Sequence, residues 1–393
     1  MAEQNFIQAQ YRGTRGELFP LAIVTALLTL VTLGIYRFWA KTRIRKYLWS
    51  SAVGDGDAFE YTGTGLEKFL GFLMAIVVLA IYLGVVQMLL FFAGLNFNFN
   101  PDTPEGFIAL NAIIYLNLLA VLPLIFYAMY RARRYKMART RWRGVRFGME
   151  KGAWGYAFRA LGLYLLTILT FGLLLPLATF KLEKYMADRS WYGDAKFEQG
   201  GHWARLYPAM QHVFIGLAIL LVGLGAAAGL QSVGLGVLAV LVGYVWLVIG
   251  AVYYRVHAMR YFWAHRRLDG DIHFVAEPRT GEIVKIWIVG SILISIFAGV
   301  LIFVLGGVLT ALFALGPDVI MAAGMLGLVS YIATLVVIGA MTLIFITQPS
   351  IEHYVTTFTL HNKLALDHIR QRAAAEGVDA EGFADALDVG GAF

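Results

Sequence analysis

Apolar and polar positions divide the chain into eight hydrophobic runs separated by short polar, aromatic-rich segments. The runs cover 18–36, 69–93, 107–130, 160–180, 213–231, 233–253, 286–315 and 319–346. A helix crossing a ~30 Å hydrocarbon core needs about 20 apolar residues, so these runs predict membrane helices. They come in two sizes. Short blocks lie between Phe19 and Tyr47 and between Tyr156 and Tyr185. Long blocks at 69–135, 207–261 and 285–354 each hold two helices and a turn. The order short, long, short, long, long predicts a duplicated unit with an extra hairpin: 1–153, 154–284 and 285–356, followed by a tail at 357–393.

The polar segments also recur. The first runs from Arg43 to Phe69: a basic, aromatic helix end with Tyr47, a Gly54-Asp55-Gly56-Asp57 turn, an alternating stretch with Phe59 and Tyr61, then Gly63-Thr64-Gly65. Tyr135 is followed by Gly144 and Phe147, Tyr185 by Gly193, Asp194 and Phe197, and Tyr261 by Gly270, Asp271 and Phe274. Tyr354 keeps only the helix end, and Tyr11-Arg12-Gly13-Thr14 near the N-terminus repeats the exit half, Tyr61 to Thr64. A pattern recurring at nearly fixed spacing is settled before any other feature, because it decides the architecture. The Gly-Asp pairs read as reverse turns, since Gly permits positive φ and Asp bonds its own backbone. Gly63-Thr64-Gly65 is neither a phosphate loop nor a dinucleotide fingerprint, because no GK[ST] and no βαβ frame accompanies it.

Charge then orients the chain. The turns inside the long hairpins, 94–106, 228–236 and 314–318, contain no Lys or Arg, whereas every recurring segment is basic. The positive-inside rule places the recurring segments in the cytoplasm and the hairpin turns outside. Each short block would then enter and leave on one side, as a helix broken near Gly34 or Gly172. Its length of about one bilayer instead favours a plain crossing. Both arrangements stay open at this level. The fold expected is an all-α polytopic membrane protein with short cytoplasmic β segments, about six full transmembrane helices in three hairpins, and two short re-entrant or single-pass blocks. The tail opens with Leu360, Leu364, Leu366 and Ile369 at helical spacing, which predicts an amphipathic helix. Beyond Arg372 it is acidic and rich in Gly and Ala (Glu376, Asp379, Glu381, Asp385, Asp388), the composition of a mobile cytoplasmic segment.

Composition agrees with the pattern. The 393 residues are 59% hydrophobic and 15% charged, with mean hydropathy +0.69, well below the quarter charged of soluble domains. No cleavable signal peptide is expected, because the first apolar run follows Arg12, Arg15 and Glu17 and ends in Phe38-Trp39-Ala40-Lys41. With no cysteine there is no disulfide or thiolate chemistry. The net charge of +7 sits beside the apolar runs, so it reads as topology and anionic-headgroup contact rather than nucleic-acid binding. Arg131, Arg133, Arg134, Arg266 and Arg267 are the candidate headgroup contacts.

Candidate chemistry is sparse. There is no nucleophile elbow, no HExxH and no carboxylate pair within an apolar run, so no enzyme is expected. His257, His265 and His273, spaced by eight, do not have metal-site spacing, and neither metal nor cofactor is expected. Polar residues in the spans are uncharged. Asn111 and Asn117 are expected to bond between helices, each bond contributing about 1 kcal/mol. Gly225 and Gly229 form a GxxxG and Gly236, Gly243 and Gly250 recur every seven, predicting close helix packing. Trp39, Tyr47, Trp142, Trp154 and Trp263 at span ends read as interfacial anchors.

The run Thr32-Leu33-Gly34-Ile35-Tyr36-Arg37-Phe38-Trp39-Ala40-Lys41, then Tyr47, then Gly56 to Gly65, resembles the YjgN family of bacterial inner-membrane proteins. The resemblance covers nearly the whole chain. It implies a multi-pass bacterial inner-membrane location and supplies no catalytic or binding residues to carry over. Two functions fit. One is a passive pore or facilitator for a small polar solute, with Thr32, Gly34, Thr170, Gly172 and Asn117 at the path and its breaks. The other is a scaffold whose basic cytoplasmic segments bind anionic lipid or a membrane-protein partner, another copy of the chain included.

Overall fold

The computed structural model describes residues 5–95, 98–100, 102–316 and 319–372, together with Gly382 and Asp385. The chain divides into two compact units, Met1–Glu60 with Gln199–His368, and Tyr61–Glu198 with Ile369–Phe393. In chain order the first unit opens with β1 (Phe6–Gln8), β2 (Gln10–Tyr11), α1 (Arg15–Val31), α2 (Arg37–Ser51), β3 (Ala52–Gly54) and β4 (Asp57–Ala58). The boundary strand β5 (Glu60–Tyr61) leads to the second unit. That unit comprises α3 (Gly65–Phe92), α4 (Pro104–Ala138), β6 (Thr140–Trp142), β7 (Val145–Met149), α5 (Ala153–Leu169), α6 (Leu175–Ala187), β8 (Ser190–Tyr192) and β9 (Ala195–Gln199). The chain then returns as α7 (Gln211–Gly229, after a 3-10 stretch), α8 (Val233–Ala264), β10 (Arg266–Leu268), β11 (Ile272–Ala276), α9 (Thr280–Phe313), α10 (Ile320–Thr342), α11 (Gln348–Thr356) and β12 (Phe358–His361). Six helical stretches among the described residues are long and apolar enough to cross a membrane: α3, α4, α7, α8, α9 and α10 continued into α11.

Each unit carries antiparallel strands. In the first, β1 pairs β12, β12 pairs β11 and β11 pairs β10, with Phe6 opposite His361 and His273 opposite both His361 and Arg267. A smaller sheet joins β2, β3 and β4. In the second, β6 to β9 pair in sequence order. The two-residue turns need left-handed backbone, and Asp55-Gly56, Arg143-Gly144 and Asp269-Gly270 all have positive φ. The Gly-Asp motifs are therefore hairpin turns.

Five helical hairpins share one closure at the foot. Two residues before the first helix's N-cap, a backbone N–H donates to a carbonyl four residues beyond an aromatic on the returning helix. The five bonds are Arg12 to Ser51 (2.8 Å), Thr62 to Arg139 (2.8 Å), Glu150 to Arg189 (2.9 Å), Gly200 to His265 (2.9 Å) and Glu277 to Thr357 (3.0 Å). The aromatic itself clasps the N-cap. Tyr47 bonds Thr14 through both its N–H (2.8 Å) and C=O (2.9 Å), and Tyr261 does the same to His202. Tyr185 donates to the Gly152 carbonyl at 3.0 Å, and Tyr135 to Glu67 in the first turn of α3 at 2.9 Å. In the fifth hairpin the role falls to His353, whose Nε2 accepts the Arg279 N–H at 2.8 Å, rather than to Tyr354. The ring explains the neighbouring glycines: a Cβ on Gly201 would lie 2.7 Å from the Tyr261 hydroxyl, and one on Gly152 2.9 Å from that of Tyr185. Thr14 and Thr64 cap α1 and α3 by accepting from Glu17 and Glu67 N–H, and those carboxylates face the positive helix ends.

Both short blocks are broken helices. At the first, Leu33 and Gly34 take φ of 49° and 91°, and the Gly34 N–H reaches back to the Thr29 carbonyl at 2.8 Å. At the second, Phe171 and Gly172 take 50° and 87°, with Gly172 bonded to the Thr167 carbonyl at 2.7 Å. This left-handed closure ends one helix before the next begins. The tips are apolar and open: Leu33 is 85% and Phe171 92% exposed. Within the units the cores lie near the hairpin feet, around Leu18, Leu48 and Ile344 in the first and around Tyr130, Met149 and Tyr156 in the second.

The tail differs from expectation. Leu360 lies in β12, and Lys363–His368 is a 3-10 turn, not part of an amphipathic helix. Strand pairing on both sides, with β1 and β11, satisfies the backbone of Phe358–His361 and overrides the helical spacing. Glu376, Asp379, Glu381 and Asp388 lie outside the described residues. Asp385 is buried against Lys68 at 3.4 Å.

Candidate functional site

The polar groups proposed for a path are engaged locally. Thr32 Oγ1 donates to the Leu28 carbonyl (2.7 Å) and accepts the Tyr36 N–H (2.9 Å). Thr170 repeats this with Leu166 (2.9 Å) and Leu174 (3.3 Å). Both hydroxyls therefore cap their own helix break. Gly34 and Gly172 supply the left-handed backbone of the same breaks, with open space where a Cβ would stand. Asn117 accepts from Gln87 on α3 and donates to Ile113 on its own helix, an interhelical bond as expected. Asn111 differs: its amide bonds the Phe107 carbonyl one turn back. Gly243 and Gly250 seat α8 on α7, against Leu220 and the His212–Val213 backbone, whereas Gly225 and Gly229 face open space.

The candidate headgroup arginines divide. Arg133 forms a two-pronged pair with Glu183 at 2.7 and 2.9 Å. Arg134 is buried and donates to the Met149 carbonyl at 3.0 Å. Arg266 reaches Gln199 through two nitrogens and stacks on Trp263 at 4.5 Å. Arg131 bonds the Tyr127 hydroxyl at 3.2 Å. Arg267 is exposed and donates to the Gly270 carbonyl of its own turn. Three of the five thus work as internal struts.

The uncompensated charge lies one strand further on. The tight turn at Arg143-Gly144 puts Arg141 directly opposite Arg146, and Trp142 opposite Val145. Successive side chains alternate faces, so the two arginines share one face and Trp142 and Val145 the other. The apolar face is fixed by Tyr192, whose hydroxyl donates to the Trp142 carbonyl at 2.9 Å and whose ring lies 4.6 Å from Phe147. Like charges directly opposed weaken a strand pair. Partial burial, then Arg141 and Arg139, push the Arg146 guanidinium below its ordinary pKa. Arg139 is paired with Glu67, but no carboxylate pairs with Arg141 or Arg146 among the described residues. Turn spacing in Arg141-Trp142-Arg143-Gly144-Val145-Arg146 carries this signal in the sequence, whereas the run's overall basicity points to Arg131–Arg134.

The three spaced histidines are not assembled. His257 and His265 each bond a carbonyl one turn back through Nδ1, from Tyr253 and Tyr261, and His273 faces Arg267. Among the described residues no group of three His, Asp or Glu could hold a metal ion.

Six helices long and apolar enough to cross a membrane define a polytopic helical membrane protein. The chain belongs to the family described as "Bacterial protein of unknown function (DUF898)", which matches residues 7–386. It is also similar to "Inner membrane protein YjgN" of Salmonella typhimurium strain LT2, 25% identical over 151 residues, and of Escherichia coli K12, 29% identical over 152 residues. Each alignment covers 38% of this chain and 33% of the relative, so the match spans a third of those relatives' length. No solved structure matches. The YjgN resemblance holds, and the protein is a multi-pass protein of the bacterial inner membrane.

Proposed function

We propose that the protein is a non-catalytic membrane scaffold whose basic strand pair, Arg141 with Arg146, docks on anionic phospholipid headgroups. The observation that carries this is two arginines held face to face with no acid paired to either among the described residues. An anion bound between them would relieve the repulsion that, after partial burial, lowers the Arg146 pKa. The pore reading is less well supported, because the hydroxyls and amide it needs are engaged at helix breaks or between two helices.

In this scaffold the hairpin feet are cytoplasmic. Foot-closing hydrogen bonds hold the two ends of each hairpin together, so both ends share one side of the bilayer. For α1–α2 and α5–α6 that means re-entry. An arm of 17 residues reaches only ~25 Å at about 1.5 Å per residue, short of the ~30 Å core, and an apolar tip at Leu33 or Phe171 suits burial in lipid.

Detergent-purified protein titrated with phosphatidylglycerol tests the docking. Near a membrane surface each basic residue contributes about 1 kcal/mol, so Arg141→Gln with Arg146→Gln is expected to weaken retention roughly thirtyfold. Undiminished retention in a folded double variant would refute the assignment. Sidedness has its own test, since the chain lacks cysteine. Ser50→Cys, exposed at the foot of the first hairpin, should react with impermeant maleimide only from the cytoplasm, and Gln231→Cys only from outside. Labelling of both from one side would defeat the arrangement.

A further inference from the structure

An open pocket of about 500 Å³ lies at the foot of α9, lined among others by Gln8, Glu277, Arg279, Glu282, His353 and Thr356. Its walls come from the fifth clasp. The Arg279 N–H is fixed to His353 Nε2, and the Glu277 N–H to the Thr357 carbonyl. Gln8 closes one side by donating to the Thr356 carbonyl at 2.8 Å. The charges are of both signs and do not pair with each other. Neither the Glu277 carboxylate nor the Arg279 guanidinium is hydrogen-bonded or ion-paired among the described residues, and Glu282 makes a long 3.8 Å ion pair with exposed Lys285. A pocket of this size is in the range that takes small molecules.

Opposite charges in one pocket, with Glu277 and Arg279 unpaired among the described residues, match a ligand that carries both. A simple anion would leave the two carboxylates unanswered, and a simple cation would leave Arg279. The place narrows the choice: beyond Lys285, α9 runs on as a membrane-spanning helix, so the pocket sits at headgroup level. We infer that this pocket binds a phosphoethanolamine group, its phosphate on Arg279 and its primary ammonium on Glu277 and Glu282. Arginine matches phosphate with two parallel N–H bonds, and a primary ammonium has N–H donors for carboxylates. Trimethylation removes those donors and keeps the charge, which makes phosphatidylcholine the discriminating control.

The test is native mass spectrometry of the delipidated full-length protein, titrated in parallel with phosphatidylethanolamine, phosphatidylcholine and phosphatidylglycerol. Phosphatidylethanolamine is expected to be retained about tenfold more tightly than phosphatidylcholine, the effect of one charge-assisted hydrogen bond. Glu277→Gln with Glu282→Gln should erase that preference, and Arg279→Gln should weaken both lipids alike. Thermal unfolding in detergent establishes that each variant is folded. Free phosphoethanolamine serves as competitor. Displacement only at large excess assigns the site to lipid, and displacement at equal concentration assigns it to the soluble compound. Equal retention of phosphatidylethanolamine and phosphatidylcholine, or an unchanged preference in the folded glutamine variants, would overturn the inference. Arg141 and Arg146 are untouched by these substitutions, so the outcome is independent of the anionic docking reading.

Discussion

Asp385→Ala is expected to lower the stability of the protein by about 3–5 kcal/mol, the usual consequence of removing one partner of a buried ion pair. Lys68 is 0% and Asp385 1% exposed, with nitrogen and oxygen 3.4 Å apart. Lys68 also lies over the Tyr61 ring at 5.1 Å, a contact too weak to replace a carboxylate. Truncating Asp385 would leave an ammonium in a site closed to water. The chain must then either open the packing around the first turn of α3 or lose a proton. Lys68→Met combined with Asp385→Leu should recover most of the loss, because a well-packed apolar pair of similar volume does not carry the desolvation cost of two charges. Denaturant unfolding in detergent reads both. A loss under about 1 kcal/mol for Asp385→Ala would show that Lys68 draws its counter-charge from elsewhere.

Tyr135→Ala is expected to have a similar effect, about 4 kcal/mol, from the volume of a fully buried ring. Its side chain is 0% exposed. The hydroxyl donates to Glu67 at 2.9 Å, and Arg139, which also bonds Glu67, lies 5.4 Å from the ring. Tyr135→Phe isolates the hydroxyl and should cost about 1.5–3 kcal/mol, the range for a hydrogen bond to a charged group. The ratio of the two losses is informative. If phenylalanine were as damaging as alanine, the clasp would act through its hydrogen bond alone. If it were harmless, Tyr135 would be simply a core ring.

Much of this arrangement was legible in the sequence, for reasons that differ by element. Long apolar runs mark the six helices able to span a membrane, because a bilayer leaves a chain few alternatives. The Tyr-to-Gly spacing located the hairpin feet, since the glycine supplies the left-handed backbone of the tight turn that follows the returning helix. Leu33-Gly34 and Phe171-Gly172 marked the breaks for the same kind of backbone reason. Other features depended on partners far away in sequence. Leu360, Leu364 and Leu366 are spaced as in a helix, yet β12 is held by β1 and β11, the first of them over 350 residues upstream. Arg133 and Arg134 look exposed in a basic run. Only the fold brings Glu183 and the Met149 carbonyl to them. The substitution of His353 for Tyr354 in the fifth clasp shows the limit of matching by residue type: the helix presents the position, and any ring with an acceptor or donor can serve.

The pairing of Phe6 with His361 has a consequence for biogenesis. Each helical hairpin is closed by contacts at its own base, so it can mature as soon as the ribosome has delivered its returning arm. The opening strand cannot. Its partner lies over 350 residues downstream, so it stays unmatched until β12 has been made, and a nascent chain halted before β12 would display β1 with a vacant edge.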